Sequence, residues 1–265
     1  MDDRVRVSRN GFVATVALNR PGKSNALDQA MFAEIARAGV EIGRDRQVRA
    51  VVLHGEGEHF CAGIDLSCLQ GFLSSNAEFR SRALDPGAGE IANEFQKCAH
   101  VWREIEVPVI AALHGVAFGG GLQIALGADI RIAAPDARLS LMEVKWGLVP
   151  DMGVMAVLPR LMRIDKAKEL LWSGRVVPAA EALELGLVTA IRDDPLHAAQ
   201  ELAGQIAARS PDAIRAGKTL FDRGWTTTPA EALALEAEMQ ARVIGMENQR
   251  EAVAANLEKR APAFR

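Results

Sequence analysis

The sequence has little cysteine, and the spacing of the three it has excludes two ways of stabilising a fold. The 265 residues contain only Cys61, Cys68 and Cys98. The number is odd, and the spacing matches neither a CxxC pair nor a Cys/His zinc-ligand set. Neither a disulfide framework nor a zinc site is therefore expected, and the composition favours a reducing, cytoplasmic location.

The chain also lacks an excess of basic residues. Lys and Arg together number 31 against 34 Asp and Glu, which gives a formal net charge of −3. Proteins that bind phosphate backbones or anionic lipid surfaces present a positive field. Nucleic acid and membranes are therefore not expected as partners. The first residues, MDDRVRV, have no apolar signal core, so no export signal is predicted.

Residues 107–128 lack any charged side chain, and their 22 residues meet the length of roughly 20 that a membrane span needs. Pro108, Gly115 and three consecutive glycines interrupt the stretch, which argues against one continuous helix. The β-branched pair Val109 and Ile110 is typical of a buried strand. We therefore predict a core strand, a turn and a buried helix here.

The hydrophobic pattern predicts an α/β fold whose strands come first and whose helices dominate from residue 151 onward. Apolar runs predict buried strands at residues 11–18, 50–53, 109–113, 130–133 and 137–141. Helical spacing and start signals predict helices at residues 90–104, 196–209, 211–222, 229–245 and 249–259. These elements suggest a β/α core at residues 1–200 and a helical region at residues 201–265. Residues 69–89, rich in turn signals around a weak helix, are predicted to form a mobile lid or insertion.

The glycine-rich segment GVAFGGGLQ at residues 115–123 is the most informative motif. Three consecutive glycines, Gly119 to Gly121, open an apolar helix and leave backbone N–H groups bare. An anion can approach these groups at the positive end of the helix dipole. The motif therefore predicts an oxyanion hole, and tight helix packing is the alternative explanation of the glycines.

Four ordered segments together resemble the enoyl-CoA hydratase/isomerase (crotonase) superfamily over nearly the whole chain. They are LNRPGKSNAL (18–27), FCAGIDL (60–66), PVIAALHGVAFGGG (108–121) and NLEKRAPAF (256–264). The resemblance implies a spiral of ββα units and a C-terminal helical region that mediates homotrimer formation, often with two trimers in a hexamer. It implies an acyl-CoA thioester as substrate and no cofactor or metal beyond the coenzyme A that the substrate carries.

The resemblance also assigns residues to the site. It implies that the N–H groups of Ala62 and Gly120 form the oxyanion hole for the thioester carbonyl, which becomes negative when C2 loses a proton. The other residues expected to line the site are Gly119, Gly121, Gln123 and Asp65, the last of which is expected mainly to hydrogen-bond its own turn. Candidates for contacting CoA are Lys23, Ala26, Lys218 and Lys259, although solvated surface lysines are an equally good explanation.

The acid/base positions separate the branches of the superfamily. Two-carboxylate hydratases carry Glu two residues after the glycines, where this chain has Gln123, whose amide has no titratable proton near neutral pH. The second carboxylate, 20 residues later, is retained as Glu143. Asp151 follows eight residues after it, an arrangement that resembles the dienoyl-CoA isomerase branch. We therefore predict a Δ3,5-Δ2,4-dienoyl-CoA isomerase, with Glu143 near C2 and Asp151 near C6.

Other interpretations stay open at this point. An enoyl-CoA hydratase is the first alternative, and a non-catalytic CoA-binding or RNA-binding member of the fold is the second. Asp151 could instead cap a helix that starts near Gly153, and Glu143 could be a solvated surface charge.

Overall fold

Two apolar strands in the middle of the chain form the centre of the fold. A computed structural model describes residues 3–265, apart from the side chains of Arg80 and Arg82. Strands at Ala50–Gly55 and Val109–Leu113 are buried along their whole length. Successive side chains of a strand point to opposite faces. Val51 thus belongs to the larger hydrophobic core, whereas Val52 belongs to a second core on the other face. Burial on both faces explains why these strands are continuous apolar runs in the sequence.

The strands form two sheets. In chain order they are β1 (Val5–Asn10), β2 (Val13–Leu18), β3 (Ala50–Gly55), β4 (Val109–Leu113), β5 (Val116–Phe118), β6 (Ile130–Ala133), β7 (Arg138–Ser140), β8 (Val177–Pro178) and β9 (Ala190–Ile191). The larger sheet has the order β1-β2-β3-β4-β6-β9, with β1 antiparallel to β2 and the remaining pairs parallel. The smaller sheet has the order β5-β7-β8. The two sheets and their helices form the mixed α/β fold that the sequence predicts.

The helices cover both faces of the larger sheet and then extend beyond it. They are α1 (Gln29–Arg44), α2 (Leu66–Leu73), α3 (Ala77–Leu84), α4 (Glu94–Glu104), α5 (Gly120–Gly127), α6 (Leu158–Leu161), α7 (Ile164–Ser173), α8 (Ala179–Glu184), α9 (Pro195–Ala207), α10 (Pro211–Gly224), α11 (Pro229–Val243) and α12 (Glu247–Glu258). Helices α1, α4 and α5 supply the larger core. Helix α9 covers the opposite face with Ala199 and Ala203.

Several sequence predictions need adjusting to these elements. The fourth helix begins at Glu94 rather than at residue 90, because Asn93 and Gln96 form a capping box there. The predicted division at residue 200 falls inside α9, which packs on β3, β4 and β6. Residues 69–89 contain most of α2 and all of α3. Within residues 3–265, no helix is long and apolar enough to cross a membrane.

Candidate active site

The glycine run brings two backbone segments together at the start of α5. Gly119 adopts φ +50°, which favours glycine, and its N–H donates to the Ser140 carbonyl at 2.8 Å. A Cβ on Gly121 would lie 2.5 Å from the Cys61 carbonyl oxygen. Gly121 thus permits close packing of α5 on the 60–66 segment, as the packing explanation of the motif requires. A Cβ on Gly120 would instead meet the side chains of Met152 and Leu27.

A cavity of about 700 Å³ opens beside these glycines. Of the residues proposed from the sequence, the following line it: Lys23, Ala26, Ala62, Asp65, Gly119, Gly120, Gln123, Glu143 and Asp151. Its apolar wall includes Leu27, Phe32, Phe72, Phe79, Phe95, Met142, Trp146, Leu148, Val149 and Met152. The cavity is therefore largely hydrophobic, with a few polar groups set into one side, as is usual for small-molecule sites.

The backbone donors of the pocket differ from those expected in one respect. The Ala62 N–H donates to the Ser24 carbonyl at 2.9 Å, so it is already occupied. Ile64, two residues later, forms a parallel bridge with Leu27. That bridge uses the Gly63 carbonyl and the Asp65 N–H, and the N–H of Ile64 has no acceptor among the described residues. The assignment of Ala62 as an anion donor is therefore wrong in this geometry, and Ile64 offers the free N–H.

Gly120 retains its predicted position. It is the first residue of α5, and its N–H has no acceptor among the residues that the structure describes. The first N–H groups of any helix lack partners within the helix. Gly120 and Ile64 both line the cavity. Two backbone donors without acceptors among the described residues therefore lie at the wall of the cavity.

Glu143 is buried beside these donors, with 8% of its surface exposed. It begins a short 3-10 turn, Glu143–Trp146, just after β7. Its Oε1 accepts a hydrogen bond from Gln123 Nε2 at 2.7 Å, while its Oε2 is buried without a partner among the described residues. Burial raises the pKa of Glu143, and the negative charge of Asp151 adds to the rise. Glu143 is therefore not a solvated surface charge.

Asp151 faces the same cavity. The 3-10 turn that follows, Val154–Ala156, begins after Gly153 and has no side-chain cap, so Asp151 is not the helix cap that the sequence allowed. Asp151 is exposed to solvent, unlike Glu143, and partial desolvation by the surrounding protein atoms raises its pKa. The pocket thus contains two carboxyl groups that both favour the protonated form more than ordinary surface carboxyls do.

Gln123 lies between these two parts of the site. It is 2% exposed and sits on the first turn of α5. Its Nε2 donates to Glu143, and its Oε1 accepts from the Met152 N–H at 2.8 Å. The Gln123 side chain therefore connects two segments of the protein.

Asp65 has the structural role that the sequence favoured. Its carboxylate caps α2 by accepting from the Ser67 N–H at 2.8 Å, and it forms an ion pair with Arg20. The hydrogen bonds from Ser67 and Arg20 lower the pKa of Asp65 to about 2. Asp65 is thus ionised at neutral pH and anchors the end of the 60–66 segment.

The residues proposed to contact CoA separate into two groups. Lys23 and Ala26 line the cavity. Lys218 does not: its side chain is 7% exposed, and its ammonium group binds Asp129 at 2.8 Å and the Val107 carbonyl at 3.1 Å. Lys259 is exposed at the end of α12 and is not among the residues that line the cavity.

Sequence reasoning missed Ile64 and the backbone of Met152. An apolar side chain gives no signal that its own N–H is free, because that property depends on the bridge to Leu27. The hydrogen bond from Met152 to Gln123 likewise depends on how the 151–153 segment folds back onto α5. The position of Met152 directly after Asp151 was the only available hint.

The chain is similar to known proteins over nearly its whole length. A family model described as "Enoyl-CoA hydratase/isomerase" matches residues 8–265. A short-chain-enoyl-CoA hydratase of Clostridium acetobutylicum is 35% identical over 97% of this chain and 96% of its own length. The mitochondrial enoyl-CoA hydratase domain-containing protein 2 of Mus musculus is 35% identical over 96% of this chain and 85% of its own length.

Solved structures give the same result. The crystal structure of an enoyl-CoA hydratase from Polaromonas sp. JS666 has a TM-score of 0.88 and 30% sequence identity, and the match covers 98% of this chain and 99% of that one. The match confirms the resemblance and the fold that it implied. Together with the glycine-bounded pocket and its buried carboxyl group, these matches show that the chain belongs to the enoyl-CoA hydratase/isomerase family of enzymes.

Proposed function

We propose that the protein converts 3,5-dienoyl-CoA to 2,4-dienoyl-CoA. The observation that carries the proposal is that two carboxyl groups with raised pKa, Glu143 and Asp151, line one apolar pocket beside free backbone donors. This reaction moves a proton from C2 to C6 without adding water. It therefore needs one basic and one acidic group at opposite ends of the reacting segment.

The first step is removal of a proton at C2. Glu143, in its ionised form, takes this proton on Oε2, the oxygen that has no partner among the described residues. The electron pair moves onto the thioester oxygen, which the N–H groups of Ile64 and Gly120 stabilise as an enolate. One such donor contributes about 2.7–4 kcal/mol to lowering a barrier.

The second step is protonation at C6. Asp151, in its protonated form, gives its proton to C6 as the electrons return from the thioester oxygen through the conjugated chain. The product leaves Glu143 protonated and Asp151 ionised, and exchange with solvent restores both groups. Each acid/base group contributes on the order of 10²–10⁴ in rate.

Hydration of 2-enoyl-CoA is the second candidate, because the relatives compared above are named hydratases. Hydration requires a group that activates water in addition to one that protonates C2. Gln123 cannot act as that base, and its oxygen and nitrogen both bind the protein. Only Asp151 could fill the missing role, so we place hydration second.

The test supplies the purified protein with a 3,5-dienoyl-CoA and follows the conjugated product by ultraviolet absorbance. We expect turnover that falls at least 100-fold in Asp151→Asn. Asp136→Asn, which changes an exposed carboxyl outside the pocket, is the matched control and should retain full activity. Hydration of 2-enoyl-CoA is assayed in parallel. No isomerisation by the parent protein, with hydration present, would replace the proposal by the second candidate.

We also propose that the chain forms homotrimers, alone or paired as hexamers. Support comes from the C-terminal helices, which leave large apolar side chains exposed. These are Phe221, Trp225, Leu233 and Leu257. Light scattering coupled to size-exclusion chromatography would measure the mass, and a monomer at micromolar concentration would contradict this proposal.

A further inference from the structure

We propose that Gln123 is a positioning residue that leaves a single oxygen of Glu143 free to exchange protons and ties the segment carrying Asp151 to it. The inference rests on the proposed function only in giving Glu143 a proton to move. The contacts themselves do not depend on which acyl-CoA reaction the enzyme performs.

The orientation of the Gln123 amide follows from its partners. The Met152 N–H can only donate, so the amide atom 2.8 Å from it must be the oxygen. The nitrogen then points to Glu143 Oε1 at 2.7 Å. The amide therefore has one orientation, in which it accepts from the backbone at residue 152 and donates to the carboxylate.

Glu143 Oε1 is enclosed by this contact. A Cβ built on Gly119 would lie only 3.4 Å from it, so the glycine turn packs against the same oxygen that Gln123 holds. Oε2 has no partner among the described residues although it is buried. A carboxylate with one oxygen bound and one free has a defined reactive atom, and rotation about its terminal bond would break the hydrogen bond to Gln123.

The same side chain fixes the second carboxyl group through the backbone. Met152 follows Asp151 directly, so its N–H belongs to the segment that carries Asp151 into the pocket. Gln123 is rigidly placed, because it is 2% exposed and lies within α5, where all eight residues are buried. One side chain on a rigid helix thus sets the position of Glu143 relative to Asp151.

The contact also has an electrostatic consequence. Burial raises the pKa of Glu143, and hydrogen bonds from its own backbone N–H and from Gln123 favour the ionised form and lower it. Asp151 is the titratable group whose charge acts on Glu143. Lys145, on the same short turn, has its ammonium group 5.4 Å from the ring centre of Trp146. Removal of the Gln123 donor should therefore raise the pKa of Glu143 further.

Two variants separate the two hydrogen bonds. Gln123→Met keeps the length of the side chain but removes both bonds. Gln123→Glu keeps an oxygen that can accept from Met152 but replaces the donor to Glu143 by a like charge. Leu126→Ala, a buried truncation on the same helix outside the cavity lining, controls for general loosening of α5.

The measurements are amide hydrogen exchange at Met152 and titration of Glu143 by infrared spectroscopy of the substrate-free protein, with Glu143→Gln to assign the signal. We expect exchange at Met152 to accelerate on the order of tenfold in Gln123→Met and to stay protected in Gln123→Glu. Both variants should titrate Glu143 at higher pH, and the acidic limb of the kcat profile should move with it. Leu126→Ala should change neither.

Unchanged exchange at Met152 and unchanged titration of Glu143 in Gln123→Met would overturn the inference. If Gln123→Met does not fold, unchanged titration of Glu143 in Gln123→Glu would overturn the inference. Since both measurements are made without substrate, a protein that fails to isomerise dienoyl-CoA but shows the expected shifts would reject the proposed reaction and support the role of Gln123.

Discussion

Asp151 and Glu143 are coupled through space, because the negative charge of Asp151 raises the pKa of Glu143 within the pocket that both line. Each group is also desolvated by the protein around it. Both carboxyl groups are therefore harder to ionise than surface carboxyls, mainly because of desolvation. A pocket with two such groups can contain one acid and one base.

The raised pKa of Glu143 has a consequence for stability. Its carboxyl group binds protons more tightly in the folded than in the unfolded chain, so stability falls as pH rises from about 4.5 through the raised value. Glu143→Gln has no ionisable group at this position, so its stability does not fall in this way as the pH rises. We expect its melting temperature to exceed that of the parent at pH 7 and the difference to disappear near pH 4. Calorimetry at several pH values would test this, with the exposed Glu236→Gln as control. A constant difference across the range would contradict it.

Two neighbouring backbone N–H groups should respond differently to an amide-to-ester replacement. At Ile64 the replacement removes a free donor in the pocket, and we expect kcat to fall about 10²–10³-fold. At Ala62 it removes the hydrogen bond to the Ser24 carbonyl, with a loss of about 1 kcal/mol in the free energy of unfolding and little change in kcat. Steady-state kinetics and denaturant unfolding of both proteins would distinguish them. The opposite pattern would restore Ala62 as the anion donor.

Gly120→Ala and Gly121→Ala should also separate activity from stability. At Gly121 the new methyl group meets the Cys61 carbonyl, which cannot move aside, so we expect a loss of about 1–3 kcal/mol in unfolding free energy. At Gly120 it meets the side chains of Met152 and Leu27 rather than the backbone, so the protein should lose less stability than Gly121→Ala while the pocket loses access to the Gly120 N–H. Thermal unfolding and turnover would show this. Equal destabilisation with equal loss of turnover would contradict it.

Substitutions of Lys218 and Lys23 should have opposite effects on stability and on the KM for acyl-CoA. Lys218→Met removes an ammonium group that satisfies Asp129 and the Val107 carbonyl, and we expect about 1–3 kcal/mol of destabilisation with an unchanged KM. Lys23→Met should raise KM for acyl-CoA about tenfold, through loss of a charged phosphate contact, without loss of stability. Kinetics and unfolding of the two variants test both at once. A raised KM in a stable Lys218→Met would return that residue to the CoA site.

The sequence predicted two kinds of element: strands that are completely buried and helices that begin with a local capping signal. Strands β3 and β4 are buried on both faces and therefore stand out as apolar runs. Helices α10 and α11 begin with Ser210 and Thr228 as side-chain caps, each followed by proline, which are strong start signals. Strand β1 was missed because only its first residue is buried, so it carries no hydrophobic pattern.

The candidate site likewise has residues that the sequence predicted and contacts that it did not. Glu143 and Asp151 were predicted as reactive groups from the resemblance to the dienoyl-CoA isomerase branch, and the structure places both in one pocket. The free N–H of Ile64 was not predictable, since it depends on a bridge to residue 27, far away in sequence. The partners of Gln123 likewise require three distant segments to meet.

Asn25 holds the backbone segment that delivers the Ile64 N–H to the pocket. It is fully buried, its Oδ1 accepts from the Arg20 N–H, and its Nδ2 donates to the carbonyls of Glu56 and His59. These contacts join the segment before α1 to the one that delivers Ile64, with no carboxyl group of the pocket involved. The Ile64 donor is thus held by contacts separate from those of the proton-transferring groups, whereas the Gly120 donor shares α5 with Gln123. Evolution could exchange the residues at positions 123, 143 and 151, and with them the reaction, while the contacts that hold Ile64 stay unaltered.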